Sequence, residues 1–229
     1  MLTELKRRVL EANLELKQSG LVTLTWGNVS GLAAERGLVV IKPSGVPYDR
    51  LRTEHMVVVN LDGRVIEGDL QPSSDTPTHI VLYRAFPNIG GVAHTHSTYA
   101  TAFAQACLEL PCLGTTHADH FYGSVPLARA LNEEEADENY EGKTGQAILE
   151  CFADRNPLET PGVLTAHHGP FTWGPTPRAA VENSIALETC AHMAWVAQSL
   201  KPTIAPLPGH ILRKHYERKH GPNATYGQT

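Results

Sequence analysis

His94 and His96 have the spacing of a metal-binding pair, in a stretch that the sequence predicts as an extended strand. Alternate side chains of a strand point to the same face, so both imidazoles are expected on one side. Neutral imidazole is the commonest transition-metal ligand, and a catalytic zinc usually takes three protein ligands. A chain with 12 histidines also contains such pairs by chance. The pair therefore predicts at most half of a metal site, and a third ligand has to come from elsewhere.

A second pair, His167 and His168, lies in residues 161–174, which the sequence predicts as a strand running into a Gly-Pro turn. Successive side chains of a strand face opposite ways. Only one of these two histidines can therefore join His94 and His96 around a metal. The spacing does not say which one.

Polar residues stand beside glycines at the ends of two predicted strands. Asn28 follows Gly27 within one strand, and Lys42, Ser44 and Gly45 end the next. Glycine lets the backbone approach a ligand closely, while the side chains supply an amide donor, a cation and a hydroxyl. This set fits a phosphate. Each turn by itself also fits ordinary turn chemistry with a solvated lysine.

Ser73, Ser74 and Asp75 directly precede a predicted helix. Pro77 falls in the first turn, where its missing N–H costs nothing. The free N–H groups and the positive dipole end of a helix N-terminus attract anions. One residue suffices as the helix cap, so this segment fits an anion site as well as simple capping.

A polar loop over residues 111–126 contains His117, Asp119 and His120. Loops held on a rigid sheet are where catalytic groups tend to lie, and an acid/base role for Asp119 is consistent with that position. The acidic segment 132–138 is interpreted as the solvated start of a helix and is assigned no function.

The periodicity of apolar residues predicts the elements that carry these groups. Helices are expected over residues 5–20, after residue 75, over 99–107, 144–152 and 178–198, and from 211. Strands are expected over residues 21–30, 37–45, 90–97 and 161–174, with a short strand after the polar loop. Residues 56–68 predict a hairpin with a tight two-residue turn at Asp62-Gly63.

The composition excludes several classes of protein. A chain of 229 residues with 41% hydrophobic and 19% charged residues is typical of one globular domain. The net charge of −5 argues against a nucleic-acid partner, which requires a basic surface. The 4 cysteines have neither zinc-module spacing nor disulfide-scaffold density, so a cytoplasmic protein with reduced thiols is expected. No secretory pattern and no run of ~18 apolar residues is present, so no membrane partner is expected.

Seven ordered motifs closely resemble the class II aldolase/epimerase family over nearly the whole chain. They are LVTLTWGNVS (21–30), IKPSGV (41–46), PSSDTPTH (72–79), HTHS (94–97), GTTHAD (114–119), HGPFTWG (168–174) and YGQ (226–228). The resemblance implies one α/β domain over residues 1–229, with a largely antiparallel central β-sheet flanked by helices. It also implies a four-fold homotetramer with active sites between neighbouring subunits.

The resemblance also assigns the metal and phosphate residues. His94, His96 and His168 correspond to the ligands of one Zn²⁺ per subunit, and imidazole would accept Mn²⁺ or Co²⁺ as well. Asp75 corresponds to a residue beside or on the metal. The residues that correspond to the phosphate pocket are Asn28, Lys42, Ser44, Gly45, Ser73 and Ser74.

Asp119 and Tyr226 correspond to an acid/base pair that the neighbouring subunit contributes, with the substrate-binding residues His215 and Arg218 near them. Tyr226 would then be a catalytic residue near the end of the chain. The resemblance therefore implies a C-terminal tail that is ordered at a subunit contact.

The implied activity is the interconversion of L-ribulose 5-phosphate and D-xylulose 5-phosphate by breaking and remaking a carbon–carbon bond, with zinc as the electron sink. Such an isomerase acts in carbohydrate metabolism, for example in L-arabinose catabolism. The nearest alternative is a class II sugar-phosphate aldolase that releases the aldehyde. Related aldolases carry glutamate at the place of Asp75, so the aspartate favours the epimerase.

Two further alternatives come from other classes of protein. A non-catalytic interaction module on the same fold, as in the head of adducin, is expected to lack the three histidines. A zinc or iron oxygenase with a His-x-His strand would not explain the phosphate-pocket residues.

Overall fold

The chain folds around an eight-stranded sheet in the computed structural model, which describes residues 2–222, 224 and 225. The helices are α1 (Leu2–Gln18), α2 (Thr76–Ala85), α3 (Thr98–Gln105), α4 (Thr115–Ala118), α5 (Glu133–Cys151), α6 (Pro177–Leu200) and α7 (Gly209–His220). The strands are β1 (Asn28–Ala33), β2 (Leu38–Ile41), β3 (Val57–Asn60), β4 (Val65–Glu67), β5 (Gly91–His94), β6 (Leu127–Ala128), β7 (Gly162–Thr165) and β8 (Pro170–Gly174). Short 3-10 turns lie at Ala34–Arg36, Tyr48–Arg50 and Thr53–His55.

The strand order across the sheet is β4-β3-β2-β1-β5-β8-β7-β6. Every neighbouring pair is antiparallel except β6 with β7, which confirms the expected largely antiparallel sheet. In the middle of the sheet, Asn28 on β1 lies opposite His94 on β5, and His94 lies opposite Phe171 on β8. The register therefore brings a polar amide and an imidazole to the same end of the central strands.

Helices cover both faces of the sheet, because alternate strand residues supply apolar side chains to each face. On one face α2 and α5 pack against Val39, Val57 and Val59. On the other face α1 and α6 pack against Val40 and Val58 of the same strands. All five valines are fully buried, and each such burial contributes roughly 1.5–3 kcal/mol. The central strands are thus held from both sides, which fixes the positions of the residues at their ends.

The predicted strand over residues 21–30 is wrong in its first part, because strand pairing begins only at Asn28. The apolar start of the run is buried against α1 instead of pairing in the sheet. The backbone then turns through left-handed φ angles of 53° at Leu24 and 75° at Gly27. A Cβ on Gly27 would lie 2.9 Å from the His94 carbonyl oxygen, so this turn requires glycine.

The predicted strand over residues 161–174 does run into a turn, but the turn comes earlier than the Gly-Pro pair, and the run forms two antiparallel strands, β7 and β8. His167 and His168 lie in the turn between them, and His167 has a left-handed φ of 61°. The turn sends the first histidine toward Cys107, whose Sγ lies 3.4 Å from His167 Nε2. The turn, and not strand alternation, separates the two side chains.

The hairpin of β3 and β4 is confirmed, but its turn is longer than the predicted two-residue turn. The Asn60 N–H donates to the Arg64 carbonyl oxygen at 2.9 Å, and the Gly63 N–H donates to the Asn60 carbonyl oxygen at 3.0 Å. Three residues are thus enclosed, and Gly63 closes the loop with a φ of 80°.

The predicted helices are confirmed with shifted ends. The acidic segment begins a helix as expected, but α5 continues through a kink at Asn139, where φ is −165° and ψ is 76°. The polar loop over residues 111–126 contains the one-turn helix α4, which the sequence did not predict. No helix among the described residues is long and apolar enough to cross a membrane.

Candidate functional site

His94, His96 and His168 converge at one end of the central strands. His94 is the last residue of β5, His96 follows it by two residues, and His168 comes from the turn between β7 and β8. Their ring centroids are separated by 4.9 Å (His94–His96), 4.6 Å (His94–His168) and 5.0 Å (His96–His168). One ring nitrogen of each lies within 4.8 Å of the others. The fold thus joins the two histidine pairs and takes His168 from the second.

The ring of His94 is oriented by a backbone carbonyl. Its Nδ1 lies 2.9 Å from the Pro170 oxygen, which can only accept, so Nδ1 carries the hydrogen. Nε2 then presents a lone pair toward the cluster.

The pKa values of the other two histidines are lowered. Burial and the neighbouring His94 lower the pKa of His96, and burial and His94 are also the main causes that lower the pKa of His168 to about 3. Both imidazoles are therefore neutral at physiological pH, the form that binds metal.

Two observations show that this donor set fits a divalent transition metal such as zinc. Nε2 of His94 and Nε2 of His96 face each other across 3.0 Å, where a shared cation would satisfy both lone pairs. Nδ1 of His168 is buried and has no hydrogen-bond partner in the described structure. Three imidazoles with His96 exposed on one side match the open coordination of a catalytic site.

The histidines line a cavity of ≈ 340 Å³, and every residue expected in the phosphate pocket lines the same cavity. These residues are Asn28, Lys42, Ser44, Gly45, Ser73 and Ser74. The Ser73 N–H donates to the Lys42 carbonyl oxygen at 3.0 Å, which ties the end of β2 to the segment before α2. The structure therefore places the cation, the serines and the histidines around one space.

Asp75 stands at the N-cap position of α2, yet its carboxylate makes no capping hydrogen bond to the helix. Its Oδ2 instead accepts a hydrogen bond from Asn28 Nδ2 at 2.6 Å, and the side chain lines the cavity. Burial would raise the pKa of Asp75, but His94 and His79 outweigh that effect and the pKa is lowered. An ionised carboxylate therefore lies beside the histidine cluster, outside the group of three whose nitrogens converge.

Lys42 is only 2% exposed and is one of the residues that line the cavity. Its Nζ donates to the carbonyl oxygens of Thr25 at 3.1 Å and Pro43 at 3.3 Å, and lies 4.9 Å from the centre of the Tyr48 ring. Burial lowers the pKa of Lys42 to about 8, although Asp75 acts in the opposite direction. A cation with few solvent contacts at this position favours an anionic ligand.

Sequence reasoning missed three large side chains of the cavity, Trp26, Tyr140 and Glu141. The ring centroid of Trp26 lies 6.0 Å from that of His96, and the centroid of Tyr140 lies 5.9 Å from that of His168. At the α5 kink, Asn139 Oδ1 accepts a hydrogen bond from the Gly142 N–H at 3.1 Å and so acts as an N-cap for the second part of the helix. Tyr140 and Glu141, the next two residues, line the cavity. An asparagine inside an acidic helix is the sequence signal of such a second cap.

Asp119 belongs to a separate cluster that does not line the cavity. It accepts hydrogen bonds from Arg218 Nη2 at 2.7 Å, Arg218 Nε at 3.2 Å and His215 Nδ1 at 3.1 Å. Burial would raise the pKa of Asp119, but the hydrogen bonds from Arg218 and His215 outweigh it and the pKa is lowered. Asp119, directly after α4, thus meets His215 and Arg218 of α7 within one chain. Tyr226 lies outside the described residues.

Residues 7–195 match the family described as Class II Aldolase and Adducin N-terminal domain. Among curated proteins, the chain is 53% identical over 225 residues to the L-ribulose-5-phosphate 4-epimerase UlaF of Salmonella paratyphi B, covering 98% of this chain and 99% of that protein. The protein of the same name from Salmonella choleraesuis matches with the same identity, 53%, and the same coverage, 98% and 99%.

Solved structures share the fold. An L-fuculose 1-phosphate aldolase superimposes with a TM-score of 0.79 at 25% identity, covering 94% of this chain and 95% of that one. The L-fuculose-1-phosphate aldolase from Thermus thermophilus superimposes with a TM-score of 0.71 at 22% identity, covering 89% of this chain and 100% of that one.

Proposed function

Because the chain belongs to the family of class II aldolases and adducin N-terminal domains, we propose that it is a metal-dependent L-ribulose-5-phosphate 4-epimerase. Epimerases of that name are 53% identical to it over nearly the full length. The reaction is the interconversion of L-ribulose 5-phosphate and D-xylulose 5-phosphate. We further propose that residues 1–229 form one domain of this type.

The observation that carries this proposal is the shared cavity. Three imidazoles, a buried lysine and three serines line the same ≈ 340 Å³ space. A five-carbon sugar phosphate has a ketone and hydroxyls at one end and a dianionic phosphate at the other. Both halves of the cavity are explained by that one ligand, whereas a metal site or an anion site alone would leave the other half without a role.

His94, His96 and His168 would hold the metal, for which we propose Zn²⁺, with Mn²⁺ or Co²⁺ as substitutes. A bound divalent cation supplies a Lewis acid that stabilises negative charge developing on the sugar oxygens. Asp75, ionised and fixed by Asn28, lies beside this position and is our candidate for a fourth ligand or a carboxylate next to the metal.

Lys42 and the serines would anchor the phosphate. The ammonium is preset in a buried position, and Ser73 and Ser74 lie just before the N-terminus of α2, whose free N–H groups attract anions. Asn28, Ser44 and Gly45 complete the pocket. A firm hold on the phosphate keeps the aldehyde fragment in the cavity after the sugar is cleaved.

The chemistry requires two proton-transfer groups. Opening the C3–C4 bond transfers the proton of the C4 hydroxyl to a base and leaves the electron pair on the three-carbon fragment, with glycolaldehyde phosphate as the other product. Re-addition to the opposite face of the aldehyde re-forms the bond and returns a proton to the new C4 oxygen. Because the two C4 oxygens point in opposite directions, a different group serves each face.

We assign these roles to Asp119 and Tyr226 of a neighbouring subunit. The hydrogen bonds from Arg218 and His215 fix the Asp119 carboxylate in place and keep it ionised, which is the form that a base requires. Because the Asp119 cluster does not line the cavity of its own chain, the proposal requires a homo-oligomer, and we propose the four-fold tetramer. The four cysteines are unpaired, which supports a place in the reducing cytoplasm.

The test is to incubate the zinc-loaded protein with L-ribulose 5-phosphate and to measure D-xylulose 5-phosphate together with free glycolaldehyde phosphate. Conversion to D-xylulose 5-phosphate without aldehyde release is the expected result. Stoichiometric release of aldehyde would instead identify an aldolase of the L-fuculose 1-phosphate aldolase type, which shares the fold. Absence of both products would also overturn the proposal.

A further inference from the structure

His79 is a fully buried histidine one helical turn after Asp75. Its backbone N–H donates to the Asp75 carbonyl oxygen at 3.1 Å, as expected for residues i and i+4 of a helix. Side chains at this spacing share one face of the helix and lean toward its N-terminus. The imidazole is therefore directed along α2 toward the Asp75 carboxylate, and the two side chains interact electrostatically.

Two residues of β1 form hydrogen bonds with Asp75 and His79 of this segment. Asn28 Nδ2 donates to Asp75 Oδ2 at 2.6 Å, and Ser30 Oγ lies 2.7 Å from His79 Nδ1. Asn28 and Ser30 are two residues apart on a strand, so their side chains point to the same face. The strand and the helix are thus joined by two successive polar contacts beneath the cavity.

Tyr83 determines the direction of the hydrogen bonds. Its hydroxyl oxygen lies 2.8 Å from Ser30 Oγ, and no hydrogen bond from this hydroxyl to a carbonyl oxygen is present among the described residues. The Tyr83 proton then goes to Ser30, and the Ser30 proton goes to His79 Nδ1. The reverse direction would leave the Tyr83 proton without an acceptor. Nδ1 of His79 is therefore the acceptor, and Nε2 carries the hydrogen.

The Nε2–H of His79 has no partner in the described structure, although it is buried. Buried donors in folded proteins are nearly always paired, so an unpaired one beside a carboxylate requires an explanation. The hydrogen bond from Asn28 goes to Oδ2 of Asp75, which leaves Oδ1 for a second donor.

We propose that His79 is a positioning residue whose Nε2–H donates to the Asp75 carboxylate when the site is loaded. Together with Asn28 it holds the carboxylate in one orientation toward the three histidines. This inference rests on the proposed function, because Asp75 matters only if the cavity binds the metal and the sugar phosphate. Hydrogen bonds to such carboxylates typically change activity or metal affinity by about 10–100-fold.

Two substitutions separate this role from a structural one. The amide of His79→Gln reaches the place of Nε2, whereas the amide of His79→Asn reaches only the place of Nδ1. We expect His79→Gln to keep most of the turnover and His79→Asn to lower kcat about 10–100-fold, with KM little changed because the phosphate pocket is intact. A His79→Asn enzyme with wild-type kcat, or equal losses in both variants, would overturn the proposal.

A control variant is Thr101→Val, which removes another buried, unpartnered polar atom on α3 and is expected to leave kcat unchanged. If either His79 variant fails to fold, ¹⁵N NMR of the zinc-loaded wild type decides. The His79 Nε2–H signal should be present and should shift in Asp75→Asn; a hydrogen on Nδ1, or no shift, contradicts the proposal. Failure of the wild type to convert L-ribulose 5-phosphate would overturn the proposed function without affecting this NMR result.

Discussion

At the scale of single residues, Lys42 is the side chain whose surroundings identify the ligand most narrowly. Among the described residues, its ammonium has hydrogen bonds to two carbonyl oxygens and contacts one aromatic ring, so much of its charge is uncompensated. A charge-assisted hydrogen bond contributes about 1.5–3 kcal/mol. A phosphate that completes this site would therefore obtain a large part of its affinity from one residue.

Lys42→Met should raise KM for L-ribulose 5-phosphate roughly 10- to 100-fold, in line with the loss of one charge-assisted hydrogen bond. The melting temperature should not fall, because methionine fills a similar volume without burying a charge. Steady-state kinetics and thermal unfolding measure the two effects. Lys17→Met, on the exposed side of α1, is the matched control and should change neither quantity. An unchanged KM in Lys42→Met would remove this residue from the phosphate pocket.

The pH dependence of kcat/KM should report the loss of the proton from Lys42. Burial lowers the pKa of Lys42 to about 8, so the ammonium is charged below that pH and loses its proton above it. Since only the charged form attracts phosphate, kcat/KM of the wild type should fall as the pH rises through about 8. Lys42→Arg keeps its charge throughout this range and should move the fall to higher pH. A fall at the same pH in both enzymes would assign it to another group.

The sequence could predict which residue types the site contains, but it could not always predict which of two neighbouring residues enters the site. Helix and turn chemistry predicted an anion site at Ser73 and Ser74 and a phosphate contact at Lys42, and the structure places all three residues around one cavity. It could not choose between His167 and His168, because the choice depends on a turn with a left-handed residue. The resemblance to a family made that choice, and the position of His168 in the cluster agrees with it.

At the scale of elements, the kinked helix α5 shows how local chemistry positions the cavity wall. The helix has two asparagine caps: Asn132 Oδ1 accepts from the Glu135 N–H at 2.9 Å, and Asn139 Oδ1 accepts from the Gly142 N–H at 3.1 Å. Only the second stands next to residues of the cavity, Tyr140 and Glu141.

Asn139→Ala and Asn132→Ala should therefore destabilise the fold to a similar degree, about 1 kcal/mol each, because each loses one cap. Only Asn139→Ala should also lower kcat/KM, since the kink that directs Tyr140 and Glu141 into the cavity depends on it. Denaturant unfolding and steady-state kinetics provide the comparison. Equal kcat/KM values in the two variants would mean that the kink has no role in the site.

Elements with simple periodicity were predictable, and elements interrupted by a local turn were not. The apolar stripe of α1 follows one helical period from end to end, and β2 and β3 are short runs of consecutive β-branched residues, so these elements follow from the sequence. The runs 21–30 and 161–174 each contain a residue with a left-handed φ, at Leu24 and at His167. Neither residue is glycine, so the sequence does not mark these two positions as turns; the nearest glycines, Gly27 and Gly169, lie further along each run.

At the scale of the whole molecule, the account requires that two clusters from different chains meet. The cavity holds the histidines and the phosphate residues, while Asp119 at the end of α4 contacts His215 and Arg218 of α7 without lining it. A contact between copies that brings α7 of one chain to the cavity of the next would complete the site.

Mixed oligomers test that arrangement. His96→Asn and Asp119→Asn homo-oligomers should each be nearly inactive, because one lacks a metal ligand and the other the base. Randomly mixed oligomers should regain activity, since about one quarter of the sites combine an intact cavity with an intact Asp119 from the neighbour. Mixing His96→Asn with His168→Asn is the control and should restore nothing, because both changes fall in the same cavity. No recovery in the first mixture would place the whole site within one chain.

The central claim is that one cation and one phosphate occupy the same cavity. Diffraction from crystals soaked with zinc and L-ribulose 5-phosphate, with data collected at the zinc absorption edge, tests it most directly. We expect one anomalous peak among His94, His96 and His168, with phosphate density against Lys42 and Ser73. A zinc peak away from the three histidines, or a phosphate bound outside the cavity, would contradict it.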